Sequence, residues 1–344
     1  MMKASRAIGL ALGACVAVTT ACSDALVGPA PSTDRGAIFD EVWHQFDLHY
    51  SFFQLKKINW DSLGGVYRPE AEAASTDDQL ASVIANMLAE LKDVHVSLTP
   101  TGVTAPMRYL STADTTQTFF DASVIANRYV STATTSPSGS VTYGMLSPTI
   151  GYLRIASFQS DALSTEVDGA MDAMRSASSL VVDVRNNSGG KYAIAVDVAG
   201  RFADRSQTYG FVRYRNGQSH DAFTGYADET VSPSGARQFH GPLYVLSNRR
   251  DFSSAEDFIL AMRVRQNTTI VGDTTAGASG GPMVRELPNG WTFQLSEWIE
   301  YTPSKQTFEG VGLAPDVFVR GTAADRAQKV DGALERAIAL AQSR

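Results

Sequence analysis

The sequence predicts an α/β protein, and three observations carry that expectation. Two short runs, Leu180-Val181-Val182-Asp183-Val184 and Leu243-Tyr244-Val245-Leu246, are apolar enough to be strands buried on both faces. Segments of helical periodicity lie between and after them, at 163–174, 192–202 and 254–264, so strand and helix alternate along the chain. With 44% hydrophobic and 19% charged residues, the 344-residue chain can also bury a large core.

Taken in order, the chain opens with Lys3 and Arg6 and an uncharged run from Ala7 to Ala21, the layout of a secretory signal. That run is shorter than the roughly 20 residues a spanning helix needs. A small residue before Cys22 resembles the bacterial lipoprotein signal. This implies an exported, periplasm-facing protein anchored to the membrane by a lipid on Cys22. Cys15, in Leu12-Gly13-Ala14-Cys15, is the alternative site, and a plain signal peptide is the third reading. Residues 23–36 read as a linker, rich in Gly, Pro and Ser. Residues 37–95 read as a helical domain: apolar positions recur from Ile38 to Phe53, and a stripe from Leu80 to Leu91 follows a capping box at Thr76 and Gln79. Residues 96–148 are dominated by Thr, Ser and Gly and read as β-rich or irregular.

From 149 to 324 the strand–helix alternation runs: a strand at Ile150–Ile155, then the helices and buried strands named above, then a strand at Thr269–Val271. Pro288-Asn289-Gly290 marks a hairpin turn before a strand running from Trp291 to Tyr301. A last helix is expected over 325–342. Between His95 and Gly151 there is too little chain for a PDZ module, and none is expected.

Composition narrows the chemistry. A net charge of −7 offers no basic surface for a phosphate backbone, so nucleic acid is not an expected partner. Both cysteines fall in the first 22 residues, and the five His show no metal-site spacing; no metal or other cofactor is expected. Ser253 stands where a buried strand hands over to a helix, where free N–H groups and the dipole stabilise developing negative charge. The same Ser253-x-x-Glu256 is also a helix capping box. His95 follows the strongest helix and offers an imidazole base; a structural His is the competing reading. Asp183–Gly190 ends in two glycines able to aim backbone N–H groups at a ligand, and Glu309 heads a second glycine-rich turn. Gly277-Ala278-Ser279-Gly280-Gly281-Pro282 imitates a serine-protease nucleophile segment. It lacks the strand–turn–helix setting, and Ser279 reads instead as part of a flexible loop lining a substrate groove.

These boxes, in this order, resemble the tail-specific, C-terminal processing peptidase family: Leu-x-Asp-x-His at 91–95, Gly-Tyr-Leu-Arg-Ile at 151–155, Asp-x-Arg-x-Asn-x-Gly-Gly at 183–190, Ser-x-Ala-Glu at 253–256, Gly-Asp-x-Thr-x-Gly at 272–277 and the turn ending at Asp316. The resemblance implies a crotonase/Clp-protease-like catalytic domain and a serine peptidase acting on peptides or unfolded proteins. Where the family's Ser/Lys style carries its Lys, after Gly277, this chain has Ala278. The match is to the tricorn-core, retinoid-binding-repeat-like branch. By that resemblance Ser253 is the nucleophile, His95 the general base and Glu309 the orienting carboxylate, with the N–H groups of Ser254 and of Gly189 or Gly190 as the oxyanion hole. Val94 stands where tricorn has a further Ser. A non-catalytic lipoprotein on the same fold, binding a peptide or an apolar ligand, is the alternative function.

Overall fold

The computed structural model describes residues 33–103 and 117–343; the signal segment with Cys15 and Cys22 lies outside them. The chain divides into two compact units. Among the described residues the first comprises 33–92, 96–103 and 282–295, and the second 93–95, 117–281 and 296–343. No helix among the described residues is long and apolar enough to cross a membrane.

The first unit holds helices α1 (Arg35–His49), α2 (Phe53–Lys56), α3 (Trp60–Ala73) and α4 (Asp77–Ala89). Its three-stranded sheet is made of β1 (Ser97–Thr99) and the hairpin strands named below. Its core is aromatic: Trp60 lies 5.6 Å from Phe46 and 5.1 Å from Phe53 between ring centroids. Trp43 and Trp60 stack, and each indole N–H donates to the other residue's carbonyl, at 3.2 and 3.0 Å. The Trp43 ring would come within 2.4 Å of a Cβ on Gly64, so α3 needs glycine there. Sequence periodicity does not reveal α3, because Gly64, Gly65 and Pro69 interrupt it. Pro69 removes the partner of the Gly65 carbonyl, but both residues are exposed and water can satisfy that group. At the start of α4 the expected capping box forms by half. Thr76 Oγ1 accepts from Gln79 N, whereas the Gln79 side chain reaches past it to Ser75 N at 2.6 Å.

The second unit is built on a seven-stranded sheet. Its strands are β2 (Thr134–Thr135), β3 (Val141–Ser147), β4 (Ile150–Ile155), β5 (Ser179–Asp183), β8 (Leu243–Ser247), β9 (Thr268–Gly272) and β13 (Val317–Phe318). Spatially they run β13-β9-β8-β5-β4-β3-β2, parallel from β13 to β4 and antiparallel beyond. Helices α5 (Leu163–Ala173), α6 (Tyr192–Ala199) and α7 (Ser254–Arg263) cover one face. On the other face, helix α9 (Gly332–Gln342) packs with Ile125 and Val130. Alternate strand residues serve the two cores: Leu153, Val182 and Val245 point to the α5–α7 side, and Tyr152, Val181 and Tyr244 to the α9 side. That double burial is why these strands read as continuous apolar runs.

Strands β6 (Gln207–Tyr214), β7 (Ala227–Val231) and β12 (Trp298–Tyr301) form a separate antiparallel sheet in the same unit. Neither β6 nor β7 was expected; β7 reads as a polar loop because its inward residue before Val231 is Glu229. The strand expected over 291–301 is two strands, β11 (Thr292–Ser296) and β12. The first pairs with β1 and with β10 (Pro282–Glu286), the second with β6. The last helix is likewise two, α8 (Ala323–Ala327) and α9. They are separated at Lys329, whose φ is +54°, and Asp331 caps the second.

Asp331 also ties α9 to the sheet. Its carboxylate accepts Leu334 N and both contacts of Arg185 Nη1 at 2.9 Å, while Arg185 Nη2 reaches Asp183 at 2.6 Å. Arg185 is buried and stacks 4.3 Å from the Phe120 ring centroid. Burial pushes the Asp183 carboxyl up, but Arg185 outweighs it and holds it below its ordinary value. Arg185→Ala leaves Asp331 without its cation and Asp183 with only Arg154, at 4.0 Å. It is expected to cost about 3–5 kcal/mol in urea unfolding.

Candidate active site

The site lies beyond the carboxyl ends of β5 and β8, where parallel sheets of this kind place their ligands. After β8 the chain turns through Asn248–Asp251: Asn248 N donates to Asp251 Oδ2 at 2.7 Å and Asp251 N returns to Asn248 O at 3.0 Å. Ser253 follows with φ +58° and ψ −137°, a conformation that side-chain-bearing residues adopt at a cost of about 1–3 kcal/mol. It is held there by its own N–H, which donates to Ala278 O at 3.0 Å, and by Ala276 N donating to Asp251 O at 2.9 Å.

The capping-box alternative for Ser253 is not what the chain forms. The Ser253 side chain makes no cap bond. Glu256 turns away into the interior, accepting the Thr275 hydroxyl, Gly277 N at 2.9 Å and Ala278 N at 2.9 Å. Ser253 is thus partly exposed at the N-terminus of α7 with its hydroxyl released from helix duty.

The turn after β5 closes against this junction. A Cβ on Gly189, whose φ is +84°, would lie 2.8 Å from both Ser253 Cβ and Ser254 N, so only glycine permits the approach. Asn187 organises the turn: its Nδ2 donates to Ile155 O at 3.0 Å, and its Oδ1 accepts Gly189 N at 2.8 Å. The Gly189 N–H is therefore engaged. The N–H groups of Gly190 and Ser254 meet no acceptor among the described residues.

His95 comes from a segment far from the others in sequence. It is 8% exposed, with its main-chain N–H on Asp93 Oδ1 at 2.9 Å, and Asp93 Oδ2 accepts from Ser296 Oγ at 3.1 Å. Its neighbour Val94 packs with Phe252 and Ala278, the residues next to Ser253 and Ser279, and the imidazole sits 6.4 Å from the Phe252 ring. His95 Nδ1 lies 3.1 Å from Ser279 O. A carbonyl only accepts, so the neutral ring carries its hydrogen on Nδ1 and its lone pair on Nε2.

Glu309, also 8% exposed, accepts Ser279 N at 2.8 Å and Ser279 Oγ at 3.2 Å on one oxygen, Oε2. Its turn is sewn to the same loop: Gly310 N donates to Gly277 O at 2.6 Å and Leu313 N to Thr275 Oγ1 at 2.7 Å. The segments of Ser253, His95 and Glu309 thus converge on residues 275–280. The expectation of a flexible groove loop for Ser279 is corrected: it is 1% exposed and bonded on both main-chain sides, because Glu309 takes up its donors and His95 meets its carbonyl.

Sequence reasoning also missed a buried acid cluster beside the site. Glu229, Asp257 and Glu300 each bring a carboxylate oxygen within 4.8 Å of the others, close enough to share protons or a cation. One oxygen of each, Glu229 Oε2, Asp257 Oδ1 and Glu300 Oε2, has no hydrogen-bond partner among the described residues. Glu300 also accepts Trp298 Nε1 at 2.9 Å. Burial, then mutual repulsion, pushes Asp257 well up and Glu229 up to about 8; burial, with repulsion from Glu300 added, pushes Glu256 up to about 7 against its hydrogen bonds. Nothing in the pattern of β7 or β12 signals that their acids point inward.

Fold and site together define an α/β protein with a serine at a strained strand-to-helix junction, and a loop that holds the backbone of that serine also binds an imidazole and a carboxylate. The chain belongs to peptidase family S41, whose sequence profile matches residues 149–319; that of the tricorn protease C1 domain matches 31–89. It is 27% identical over 187 residues to carboxy-terminal processing protease CtpA of Bacillus subtilis, covering 53% of this chain and 38% of that protein. It is 28% identical over 173 residues to the chloroplastic carboxyl-terminal-processing peptidase 3 of Arabidopsis thaliana, covering 48% of this chain and 31% of that one. The chain therefore matches less than half the length of either curated relative. Among crystal structures, a Parabacteroides merdae protein whose peptidase assignment is itself inferred superposes with a TM-score of 0.80. It is 29% identical, over 90% of this chain and 97% of its own. The tricorn protease shares the fold at a TM-score of 0.56 and 14% identity, over 89% of this chain and 36% of its own.

The acid cluster fixes a sign for the pH dependence of stability. Folded Glu229, with its pKa raised to about 8, keeps a proton that the unfolded chain releases near its ordinary value of about 4.3. That stabilisation is complete below the unfolded value and is lost as pH rises through the folded one. Glu229→Gln cannot ionise. It is expected to flatten the fall of Tm from about pH 5 to about pH 8 and to melt above wild type at the upper end, as followed by circular dichroism.

Proposed function

We propose that the protein is a serine peptidase that cleaves peptides or unfolded proteins through an acyl-enzyme on Ser253. The observation that carries this reading is the strained backbone of Ser253, which frees its hydroxyl at a helix N-terminus beside the segment bearing His95. Strain of that kind persists only where the surroundings over-determine it, and it marks nucleophile turns.

In this reading His95 Nε2 takes the Ser253 hydroxyl proton as Oγ bonds to the substrate carbonyl carbon. The carbonyl oxygen, now negative, is received by the N–H groups of Ser254 and Gly190. Gly189, with its N–H on Asn187, supplies the close approach rather than the bond. The imidazolium then returns the proton to the departing amine, and a water molecule deacylates the serine by the same route. Glu309 orients the assembly from behind. The protein is exported and held at the membrane by a lipid on Cys22, which would confine its substrates to the cell envelope.

Labelling with a fluorophosphonate followed by peptide mapping tests the assignment: the label is expected on Ser253 and on no other serine. Peptide binding without labelling would instead favour a non-catalytic binder on this fold. Ser253→Ala is expected to abolish cleavage, and His95→Ala to lower kcat by several orders of magnitude, close to the loss in Ser253→Ala, since members of one unit are not additive. For the anchor, wild type is expected to partition into the detergent phase of a Triton X-114 separation and Cys22→Ser into the aqueous phase.

A further inference from the structure

We propose that Ser279 is a positioning residue for the reaction, setting the imidazole of His95 and the carboxylate of Glu309 relative to the backbone of Ser253. The proposal rests on the peptidase reading above and deepens it. Two peptide units meet at the Ser279 Cα. In the Ala278–Ser279 unit the carbonyl accepts Ser253 N at 3.0 Å and the N–H donates to Glu309 at 2.8 Å. In the Ser279–Gly280 unit the carbonyl faces His95 Nδ1 at 3.1 Å. The first unit thus has a buried carboxylate on its N–H end, and both have a working segment on the carbonyl end. Hydrogen bonds in series polarise one another, so the Ala278 carbonyl is a stronger acceptor than an isolated one.

The angle between the two units is set by the backbone torsions of one residue, and that residue's side chain is itself tied down. Ser279 Oγ adds a second bond to the same Glu309 oxygen, at 3.2 Å, closing a ring through the side chain, the main chain and Oε2. When the imidazole turns positive during acylation, its bond to Ser279 O becomes charge-assisted, the class of hydrogen bond that gains most from fixed geometry. Ser279 touches neither substrate nor reacting atoms; it acts through His95, Ser253 and Glu309.

Two variants separate its side chain from its backbone. Ser279→Ala removes only the Oγ bond, whereas Ser279→Gly also loosens the torsions that relate the two units. With a peptide substrate, kcat is expected to fall about tenfold in Ser279→Ala and further in Ser279→Gly, with KM within about twofold of wild type. The rate of fluorophosphonate labelling at Ser253 is expected to fall by the same factors. If both variants lose thermal stability but keep wild-type kcat and labelling rate, Ser279 is structural and the proposal is overturned. A rise in KM with kcat unchanged overturns it too, in favour of a substrate contact. A wild type that neither cleaves nor labels overturns the peptidase reading, and this role with it.

Discussion

Three successive backbone N–H groups, those of Gly277, Ala278 and Ser279, end on the carboxylates of Glu256 and Glu309. Everything at the site depends on that arrangement. With every N–H drawn into the interior, the carbonyls of Gly277, Ala278 and Ser279 are left to hold Gly310 N, Ser253 N and His95 Nδ1. A carboxylate suits the task because it only accepts and offers two oxygens. The cost is desolvation of the charge, visible in Glu256. Even with bonds from Thr275, Gly277 and Ala278, its carboxyl is pushed up to about 7 by burial.

The strain at Ser253 is tolerable for the same reason. A residue with φ +58° relaxes unless several bonds oppose it, and here they come from both sides. The 275–280 loop holds its N–H, and Asp251, bonded to Asn248 N and Asn187 N, fixes the approach from β8. Gly189 closes the third side, where a Cβ would displace the Ser253 side chain. The cluster of Val94, Phe252 and Ala278 draws the three distant segments together without direction, and the hydrogen bonds then set angles.

What the sequence made legible follows from how far each signal reaches. Buried parallel strands and the helices between them announce themselves locally, since double burial leaves an apolar run and single-face burial leaves a period. The order of short motifs carried the family, and Asp183–Gly190 pointed at the glycine approach to Ser253. Other features are properties of pairs remote in sequence. Glu256 reads as a cap because its true partners, Thr275 to Ala278, lie a helix and a strand away. Ser279 reads as a loop residue because nothing near it shows that Glu309 and His95 will take its donors and its carbonyl. Helix α3 was hidden by Gly64, whose meaning is the indole of Trp43 rather than a turn.

The acids that were hardest to read are also those that most constrain the second unit. An inward acid on β7, another on β12 and a third on α7 place three carboxyl groups together with no Lys or Arg paired to them among the described residues, a combination that burial alone would select against. Their positions suggest why it is tolerated. Asp257 is in the first turn of α7, where the helix dipole favours negative charge, and Glu300 accepts Trp298 Nε1. Replacing the three with apolar residues would remove the repulsion, but it would also leave the half-buried indole N–H of Trp298 without its acceptor.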